Sequence, residues 1–189
     1  MIAQAPAIER VLFTEEQIER RIREVAGEIG QRYQGRTLKL IGVLKGSVFF
    51  LSQLARQLQI QVKIDFLGVS SFSNRPSAPG VVRISKDLDE SIEDEDVLLV
   101  EDIVDTGLTL RYLLQTLSGR GPKSLAVCTF LDRNCSRIVQ VPIDFRCFEI
   151  PDRFVVGFGL DYNQLYRNLR CVATLKAEPG SASAIRKPG

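Results

Sequence analysis

Apolar positions in the first part of the chain follow the spacing of an amphipathic helix. The segment Thr14-Glu15-Glu16-Gln17 has the form of a capping box, in which a hydroxyl and an amide satisfy backbone amides at a helix start. Four apolar residues then follow at spacings of four, three and four, namely Ile18, Ile22, Val25 and Ile29. This pattern predicts a helix over residues 14–35 with one buried face.

After this helix, short apolar runs rich in strand-forming residues alternate with helical patterns. Strands are predicted over 38–44, 62–69, 81–84, 97–100, 125–131, 144–150 and 170–175, and helices over 48–58 and 108–117. The run 97–100 is continuously apolar, which is typical of a central parallel strand covered on both faces. Strands that alternate with helices indicate an α/β fold whose sheet is mainly parallel.

Segments without periodicity divide the chain. Residues 1–13 are predicted to be an irregular arm and residues 177–189 a disordered tail, which leaves 14–176 as one domain. The segment 70–80 contains four Ser, two Pro and one Gly, and this composition predicts a long loop that we interpret as a mobile lid. The acidic stretch 87–96 is interpreted as a solvated turn region.

The composition is that of a globular domain and excludes several classes of protein. A chain of 189 residues with 44% hydrophobic residues is long enough for one domain with a buried core. The formal net charge of +2 predicts no nucleic-acid partner. No apolar run approaches the roughly 18 residues that span a bilayer, so no membrane partner is expected. The absence of His excludes Ser-His-Asp and Cys-His catalysis and the usual zinc sites with His ligands.

The cysteines and the first residues bear on cellular location. No CxxC pair occurs among the four cysteines, Cys128, Cys135, Cys147 and Cys171. We interpret them as free thiols in a reducing compartment. The first 13 residues include Glu9 and Arg10 and have no apolar core of signal-peptide length, so we expect a cytoplasmic protein.

The segment from Val97 to Leu110 carries the candidate chemistry. Its predicted strand ends at Glu101 and Asp102, and a turn of small residues leads directly into a helix. Ligands of open parallel sheets lie beyond the carboxyl ends of the strands. The free amides and the positive end of the helix would therefore bind a phosphate dianion, and Gly107 would let the backbone approach it. The carboxylate pair could hold a hydrated Mg²⁺ or accept hydrogen bonds from ribose hydroxyls. Alternatively, the two acidic residues could only favour the start of the helix.

This segment, VLLVEDIVDTGLTL, resembles the phosphoribosyl-diphosphate (PRPP) signature of type I phosphoribosyltransferases, most closely the hypoxanthine-guanine branch of purine salvage. GVLKGSVFF (42–50), VSSFSNRPSAPGVVRISKDLD (69–89) and FEIPDRFVVGFGLDYNQLYRNL (148–169) resemble the same branch in the same order. The resemblance covers roughly residues 10–175. It implies a five-stranded, mostly parallel sheet flanked by helices, with a small hood built from 148–175 and the N-terminal arm.

The resemblance also implies roles for the signature residues. Glu101 and Asp102 would bind the ribose hydroxyls and the first Mg²⁺ of PRPP. Asp105 would act at the purine as general base or hydrogen-bond acceptor. The 5′-phosphate would be held by Asp105, Thr106, Gly107, Leu108 and Thr109.

Other segments supply the remaining expected contacts. The turn Leu44-Lys45-Gly46 resembles the family's pyrophosphate loop, which has a non-proline cis peptide before the lysine, and Arg167 would add charge for the diphosphate. Asp161 would bind the second Mg²⁺ beside the purine. The purine itself would be contacted by Arg133, Arg153, Phe154, which would stack on it, and Val155, whose backbone would read its exocyclic edge. Ser71 and Phe72 would belong to the lid.

Two residues depart from the family pattern. The family usually has a lysine that contacts the purine 6-oxo group where this chain has Arg133, and a guanidinium is bulkier and forked. The family's lid usually carries Ser-Tyr, whereas this chain has Ser71-Phe72, which removes one phenol hydrogen bond. Both changes concern base preference and turnover more than PRPP binding.

These observations predict a Mg²⁺-dependent enzyme that converts hypoxanthine or guanine plus PRPP to IMP or GMP plus pyrophosphate. Its partners would be PRPP and a 6-oxopurine, and the family implies a homodimer or homotetramer. Three alternatives remain: a xanthine-preferring enzyme, a phosphoribosyl-binding regulator without turnover, and a structural PRPP-binding subunit. A nucleic-acid-binding regulator is expected to show a basic face and a degraded catalytic segment, and this sequence has neither.

Overall fold

The computed structural model describes residues 7–72 and 81–176 of the chain. In chain order its elements are β1 (Ile8–Phe13), α1 (Glu15–Arg32), β2 (Leu38–Leu44), α2 (Ser47–Gln57), β3 (Val62–Phe72), β4 (Val81–Lys86), β5 (Asp96–Val104), α3 (Leu108–Ser118), β6 (Ser124–Asp132), a short 3₁₀ helix (Asn134–Ser136), β7 (Phe145–Glu149), β8 (Val155–Val156) and β9 (Val172–Leu175). Strands and helices alternate through the middle of the chain, as the sequence predicts.

The main sheet has the strand order β4-β3-β2-β5-β6-β7. Strands β3, β2, β5, β6 and β7 run parallel, which confirms the predicted five-stranded parallel sheet. Strand β4 adds a sixth, antiparallel strand at one edge. All residues of β5 from Asp96 to Glu101 are buried, because the central strand is covered on both faces.

Helices cover the two faces of this sheet. The apolar face of α1 packs with α2 and with one face of the strands, and its four predicted apolar residues are all buried. Helix α3 packs on the opposite face through Leu110, Leu113 and Leu117. The capping box is present: Gln17 N–H donates to Thr14 Oγ1 over 3.4 Å, and Thr14 N–H donates to Gln17 Oε1 over 2.9 Å. Helix α1 ends at Arg32, three residues before the predicted end.

A second, three-stranded sheet has the order β1-β9-β8, and we call it the small sheet. Its β1 corrects the prediction of an irregular arm over 1–13, because residues 8–13 pair antiparallel with β9. Residues 8–13 show no strong pattern of apolar positions, because their side chains are mostly exposed. Its order comes from hydrogen bonds to a strand far along the chain. The ring of Phe13 stacks on Phe148 at 4.1 Å between centroids and joins this sheet to the main core.

The β3–β4 hairpin is longer than the sequence predicts. Strand β3 continues to Phe72, where a loop was expected from residue 70, and Ser70 pairs with Arg83 of β4. The antiparallel partner supplies ladder hydrogen bonds that the polar composition of this segment does not suggest. Residues 73–80 of the predicted lid and the predicted tail 177–189 lie outside the described residues.

The acidic stretch 87–96 is only partly the solvated turn region that was predicted. Lys39 of β2 is 2% exposed, and its Nζ lies 3.2 Å from Glu90 Oε2 and 3.6 Å from Glu95 Oε2. A buried ammonium requires such partners. Part of the acidic stretch therefore neutralises a lysine inside the sheet.

All four cysteines are free, as predicted, and two of them are buried. Burial raises the pKa of the Cys147 thiol to about 12 and raises the pKa of Cys128 well above its usual value. Both groups are therefore protonated at neutral pH. In the part of the chain that is described, no helix is long and apolar enough to cross a membrane.

Thr14→Ala removes the hydroxyl of the capping box. We expect it to lower the free energy of unfolding by about 1 kcal/mol, because a backbone amide at the start of α1 loses its acceptor. Urea denaturation measures the change. Ser52→Ala, at an exposed position of α2, is the control and should stay within about 0.5 kcal/mol. Equal effects of the two substitutions would contradict the role of the cap.

Iodoacetamide at pH 8 should modify Cys135 of the native protein and leave Cys128 and Cys147 unmodified. A thiol whose pKa is about 12 carries almost no thiolate at this pH, and both side chains are buried, whereas Cys135 is exposed. Mass spectrometry of peptides gives the readout, and all four cysteines should react in denaturant. Modification of native Cys147 as fast as Cys135 would show that this region opens readily.

Candidate active site

The carboxyl ends of β2, β5 and β6 meet at one edge of the main sheet, and the candidate residues of the signature lie there. Glu101 is 5% exposed and Asp102 is half-buried. The Ile103 N–H donates to Asp102 Oδ1 over 2.9 Å and orients that carboxylate. The strand therefore delivers two adjacent carboxylates to the place where ligands of parallel sheets bind.

The turn after β5 has the form of an anion site, and we call residues 105–109 the phosphate turn. Gly107 precedes α3 with φ of 84°, and as the N-cap residue it has no side chain that could cap the helix. The first-turn amides of α3 therefore have no acceptor within the helix, and they stand at its positive end. Thr106 Oγ1 accepts from Leu108 N–H over 3.4 Å, so its hydroxyl lies within the turn.

Asp105 lies at this turn and forms an ion pair with Arg133. Arg133 Nη1 is 3.1 Å from Asp105 Oδ2, and the two side chains are 10% and 25% exposed. Arg133 Nη2 donates to the Arg153 carbonyl over 2.6 Å. The structure thus brings the candidate general base together with two residues expected at the purine.

The turn between β2 and α2 lies against the signature carboxylates. Its Leu44–Lys45 peptide bond is cis, as the family resemblance implies. Lys45 is exposed, whereas Gly46 is buried. A Cβ at Gly46 would overlap the Asp102 carboxylate in its present position, so glycine makes this close approach possible.

The loop that contains Asp161 and Arg167 packs on the same turn. The two side chains form an ion pair at 2.7 Å, and Arg167 Nη1 donates to the Gly159 carbonyl over 2.6 Å. A Cβ at Gly159, where φ is 99°, would overlap the Gly46 carbonyl. The expected diphosphate contact Arg167 and the expected metal ligand Asp161 are therefore neighbours at residues 44–46, the turn between β2 and α2, which we call the pyrophosphate turn.

The remaining candidate purine contacts come from the small sheet and the residues before it. Phe154 is partly exposed and meets Tyr162 edge-on, with 5.9 Å between ring centroids. Val155 is buried in β8, where it pairs with Thr174. The Arg153 side chain is 61% exposed and lies 3.9 Å from Glu9. The lid residues Ser71 and Phe72 belong to β3 by their backbone.

One charged group beside the site was not predicted from the sequence. Asp132, at the end of β6, is 4% exposed and forms ion pairs with Arg137 and Arg146. Like Glu101, Asp132 is a carboxylate that directly follows a buried apolar run, and this signal could have identified it. The arginines that neutralise it lie 5 and 14 positions later and have no recognisable spacing.

A cavity of about 370 Å³ opens at the opposite, amino-terminal end of the strands. It is lined by charges that pair with one another, including Arg36 with Asp96 and Lys63 with Glu95. Most of the charged groups that line it are therefore paired with one another. The convergent polar groups of the signature lie instead at the carboxyl ends of the strands.

The carboxylates at the signature fit a magnesium ion that is shared with a substrate. The described residues contain no group of three or more His, Cys, Asp and Glu side chains that could hold a metal alone. Mg²⁺ commonly takes only one or two carboxylates and completes its shell with water and phosphate oxygens. Glu101 and Asp102, beside an anion-binding turn, are a donor set of that kind.

Comparison with known proteins agrees with this geometry. Residues 12–163 match the family model for the phosphoribosyl transferase domain. A hypoxanthine-guanine phosphoribosyltransferase of Mycobacterium avium is 49% identical over 174 residues, which cover 89% of this chain and 86% of the relative. The Bacillus subtilis (strain 168) enzyme of the same name is 43% identical over 169 residues, which cover 89% of this chain and 94% of the relative.

Solved structures give the same result. A crystal structure of a hypoxanthine phosphoribosyltransferase from Staphylococcus aureus superposes with a TM-score of 0.86 at 42% identity, covering 89% of this chain and 92% of that one. Family model, sequence relatives and structure therefore agree over most of the chain. The chain belongs to the hypoxanthine-guanine phosphoribosyltransferases, the purine-salvage enzymes of the phosphoribosyltransferase family.

Proposed function

We propose that this enzyme transfers the phosphoribosyl group of PRPP to hypoxanthine or guanine and releases IMP or GMP and pyrophosphate. The observation that carries the proposal is the Asp105–Arg133 ion pair, which lies at the phosphate turn with both side chains largely shielded from water. A carboxylate and a guanidinium side by side match the edge of a 6-oxopurine, which offers one donor and one acceptor.

The substrate PRPP would span the carboxyl edge of the sheet. Its 5′-phosphate would accept hydrogen bonds from the amides of the phosphate turn. The ribose hydroxyls would donate to Glu101 and Asp102. The diphosphate would lie along the pyrophosphate turn, where Lys45 and Arg167 supply positive charge. These contacts would hold the ribose C1 in line between the leaving group and the incoming base.

The purine would bind against Phe154 with its N7 toward Asp105. The carboxylate accepts the N7 proton as the base attacks ribose C1, which keeps the attacking ring electron-rich. Arg133 would donate to the 6-oxo oxygen. The Val155 backbone and Arg153 would line the 2-position edge, where guanine and xanthine differ from hypoxanthine.

The same pair would reject 6-aminopurines. An amino group at C6 would point a donor at the Arg133 guanidinium, which has only donors. A buried donor without an acceptor costs about 1–3 kcal/mol, or roughly a tenfold to hundredfold loss in affinity. We therefore propose 6-oxopurines as the substrate class. Xanthine would need a further donor near its 2-oxo group.

We propose Mg²⁺ as the cofactor, held by Glu101 and Asp102 together with PRPP oxygens and by Asp161 at the diphosphate. When bound, it stabilises the negative charge that builds on the departing diphosphate. The residues of the chain position the groups that contact PRPP. Asp161 keeps Arg167 in place through their ion pair at 2.7 Å, and Ile103 N–H orients Asp102.

We also propose a cytoplasmic location and a homodimer or homotetramer. Four free cysteines suit a reducing compartment. The proposed oligomer rests on the family resemblance, and multi-angle light scattering tests it.

Pyrophosphate release tests the proposed reaction. Purified enzyme with PRPP and Mg²⁺ should release pyrophosphate with hypoxanthine or guanine, and Asp105→Asn should lower kcat by roughly 10²–10⁴-fold, because an amide cannot take the N7 proton. Omission of Mg²⁺ should abolish turnover, and parallel reactions with xanthine and adenine rank the bases.

An unchanged melting temperature of Asp105→Asn would show that the loss is chemical. Mg²⁺-dependent PRPP binding without turnover of any base would contradict the proposed reaction and support a regulatory protein. Turnover with xanthine alone would move the assignment to a xanthine-preferring enzyme.

Arg133→Met removes the partner of Asp105 and the donor to the 6-oxo group. We expect the KM for hypoxanthine to rise roughly tenfold or more, while the KM for PRPP changes less than about threefold, because a charged hydrogen bond contributes about 1.5–3 kcal/mol. Steady-state kinetics measure both constants. Arg120→Met, which breaks an ion pair with Asp87 elsewhere on the surface, is the control. A proportional rise of both KM values would contradict a specific role at the purine.

A further inference from the structure

The segment 137–139 packs directly against the phosphate turn. The Thr106 carbonyl accepts hydrogen bonds from both Ile138 N–H and Val139 N–H, at 2.9 and 3.0 Å. A Cβ at Gly107 would overlap the Val139 carbonyl and would come within 3.2 Å of Arg137 Cδ. Residues 137–139 therefore support the phosphate turn, and we call this segment its wall.

Arg137 is the buried charged residue of this wall. Its side chain is 5% exposed and forms an ion pair with Asp132, which is 4% exposed. Its Nη1 is buried and has no hydrogen-bond partner among the described residues. A buried guanidinium with an unused donor is costly for stability, so its presence next to a functional turn calls for a functional explanation.

We infer that Arg137 is a positioning residue for the 5′-phosphate of the substrate and product. This inference rests on the proposed function. The Asp132 ion pair fixes the guanidinium, and the stem of Arg137 packs on Gly107, so the turn amides keep the orientation that a phosphate requires. The positive charge also stabilises a dianion bound at the turn, because two charges attract each other more strongly when they are buried away from water.

Arg146 provides an internal comparison. It contacts the same Asp132 carboxylate, with Nη1 2.7 Å from Oδ2, but its side chain is 43% exposed and also contacts Glu149 at 3.3 Å. Arg146 lies on β7, whereas the atoms nearest to Gly107 belong to Val139 and Arg137. Replacing either arginine removes one partner of Asp132, but it is the stem of Arg137 that lies beside the phosphate turn.

The experiment therefore compares Arg137→Met with Arg146→Met in the full-length enzyme. We expect Arg137→Met to raise the KM for PRPP and the dissociation constant of GMP roughly tenfold or more, since small displacements of binding groups have effects of this size. The KM for hypoxanthine should stay within about threefold of wild type, because Asp105 is held at the purine by its own ion pair with Arg133. Arg146→Met should leave all three constants within about twofold. Steady-state kinetics and isothermal titration calorimetry with GMP supply the values.

A third variant guards against misfolding. Arg137→Lys keeps the charge and most of the stem, and we expect it to restore at least part of the GMP affinity that Arg137→Met loses, with a melting temperature near that of wild type. If Arg137→Met does not fold, Arg137→Lys provides the test. In that case, a KM for PRPP that rises less than the KM for hypoxanthine would contradict the inference.

Equal effects of Arg137→Met and Arg146→Met would overturn the inference, because they would show that only the charge balance of Asp132 matters. An equal rise of the PRPP and hypoxanthine constants would overturn it as well. Failure of the wild-type enzyme to bind GMP or to release pyrophosphate would instead overturn the proposed function, and this inference with it.

Discussion

The close approach of three backbone segments at Gly46 is the constraint on which the candidate site depends. One side of this glycine faces the Asp102 carboxylate and the other faces Gly159, and no Cβ fits at either contact. Strand β5, the turn after β2 and the loop between β8 and β9 therefore approach one another closely at these glycines. Their meeting places carboxylates, a pyrophosphate turn and the Asp161–Arg167 pair within one small region.

Electrostatic pairing keeps this region stable despite its many charges. Three of its acidic groups have arginine partners: Asp105 pairs with Arg133, Asp161 with Arg167, and Asp132 with two arginines. Carboxylates placed this close together without such partners would repel one another. The arginine partners thus orient these acidic groups before any substrate arrives.

Most of the main sheet and the centre of the site follow from local sequence. The capping box and the apolar face of α1, the continuous apolar run of β5, and the carboxylate-turn-glycine order of the signature each have a local physical cause, and the structure contains all three. Strand β1 could not be predicted in this way, because its hydrogen bonds go to β9, far along the chain. The extension of β3 to Phe72 was missed because its polar composition indicates a loop, whereas pairing with β4 makes it a strand. Arg137 was missed because its contacts with Asp132 and Gly107 depend on how two other elements, β6 and the turn before α3, pack together.

The pairing of β1 with β9 has a consequence for synthesis of the enzyme. Residue Ile8 is paired with Leu175, so the small sheet joins parts of the chain that leave the ribosome far apart in time. The main sheet, built from neighbouring βαβ units, is able to form first, whereas β1 can pair only after β9 has been synthesised. A nascent chain would then acquire its phosphate turn early and its proposed purine site last, so that base recognition begins only when translation of the domain is nearly complete.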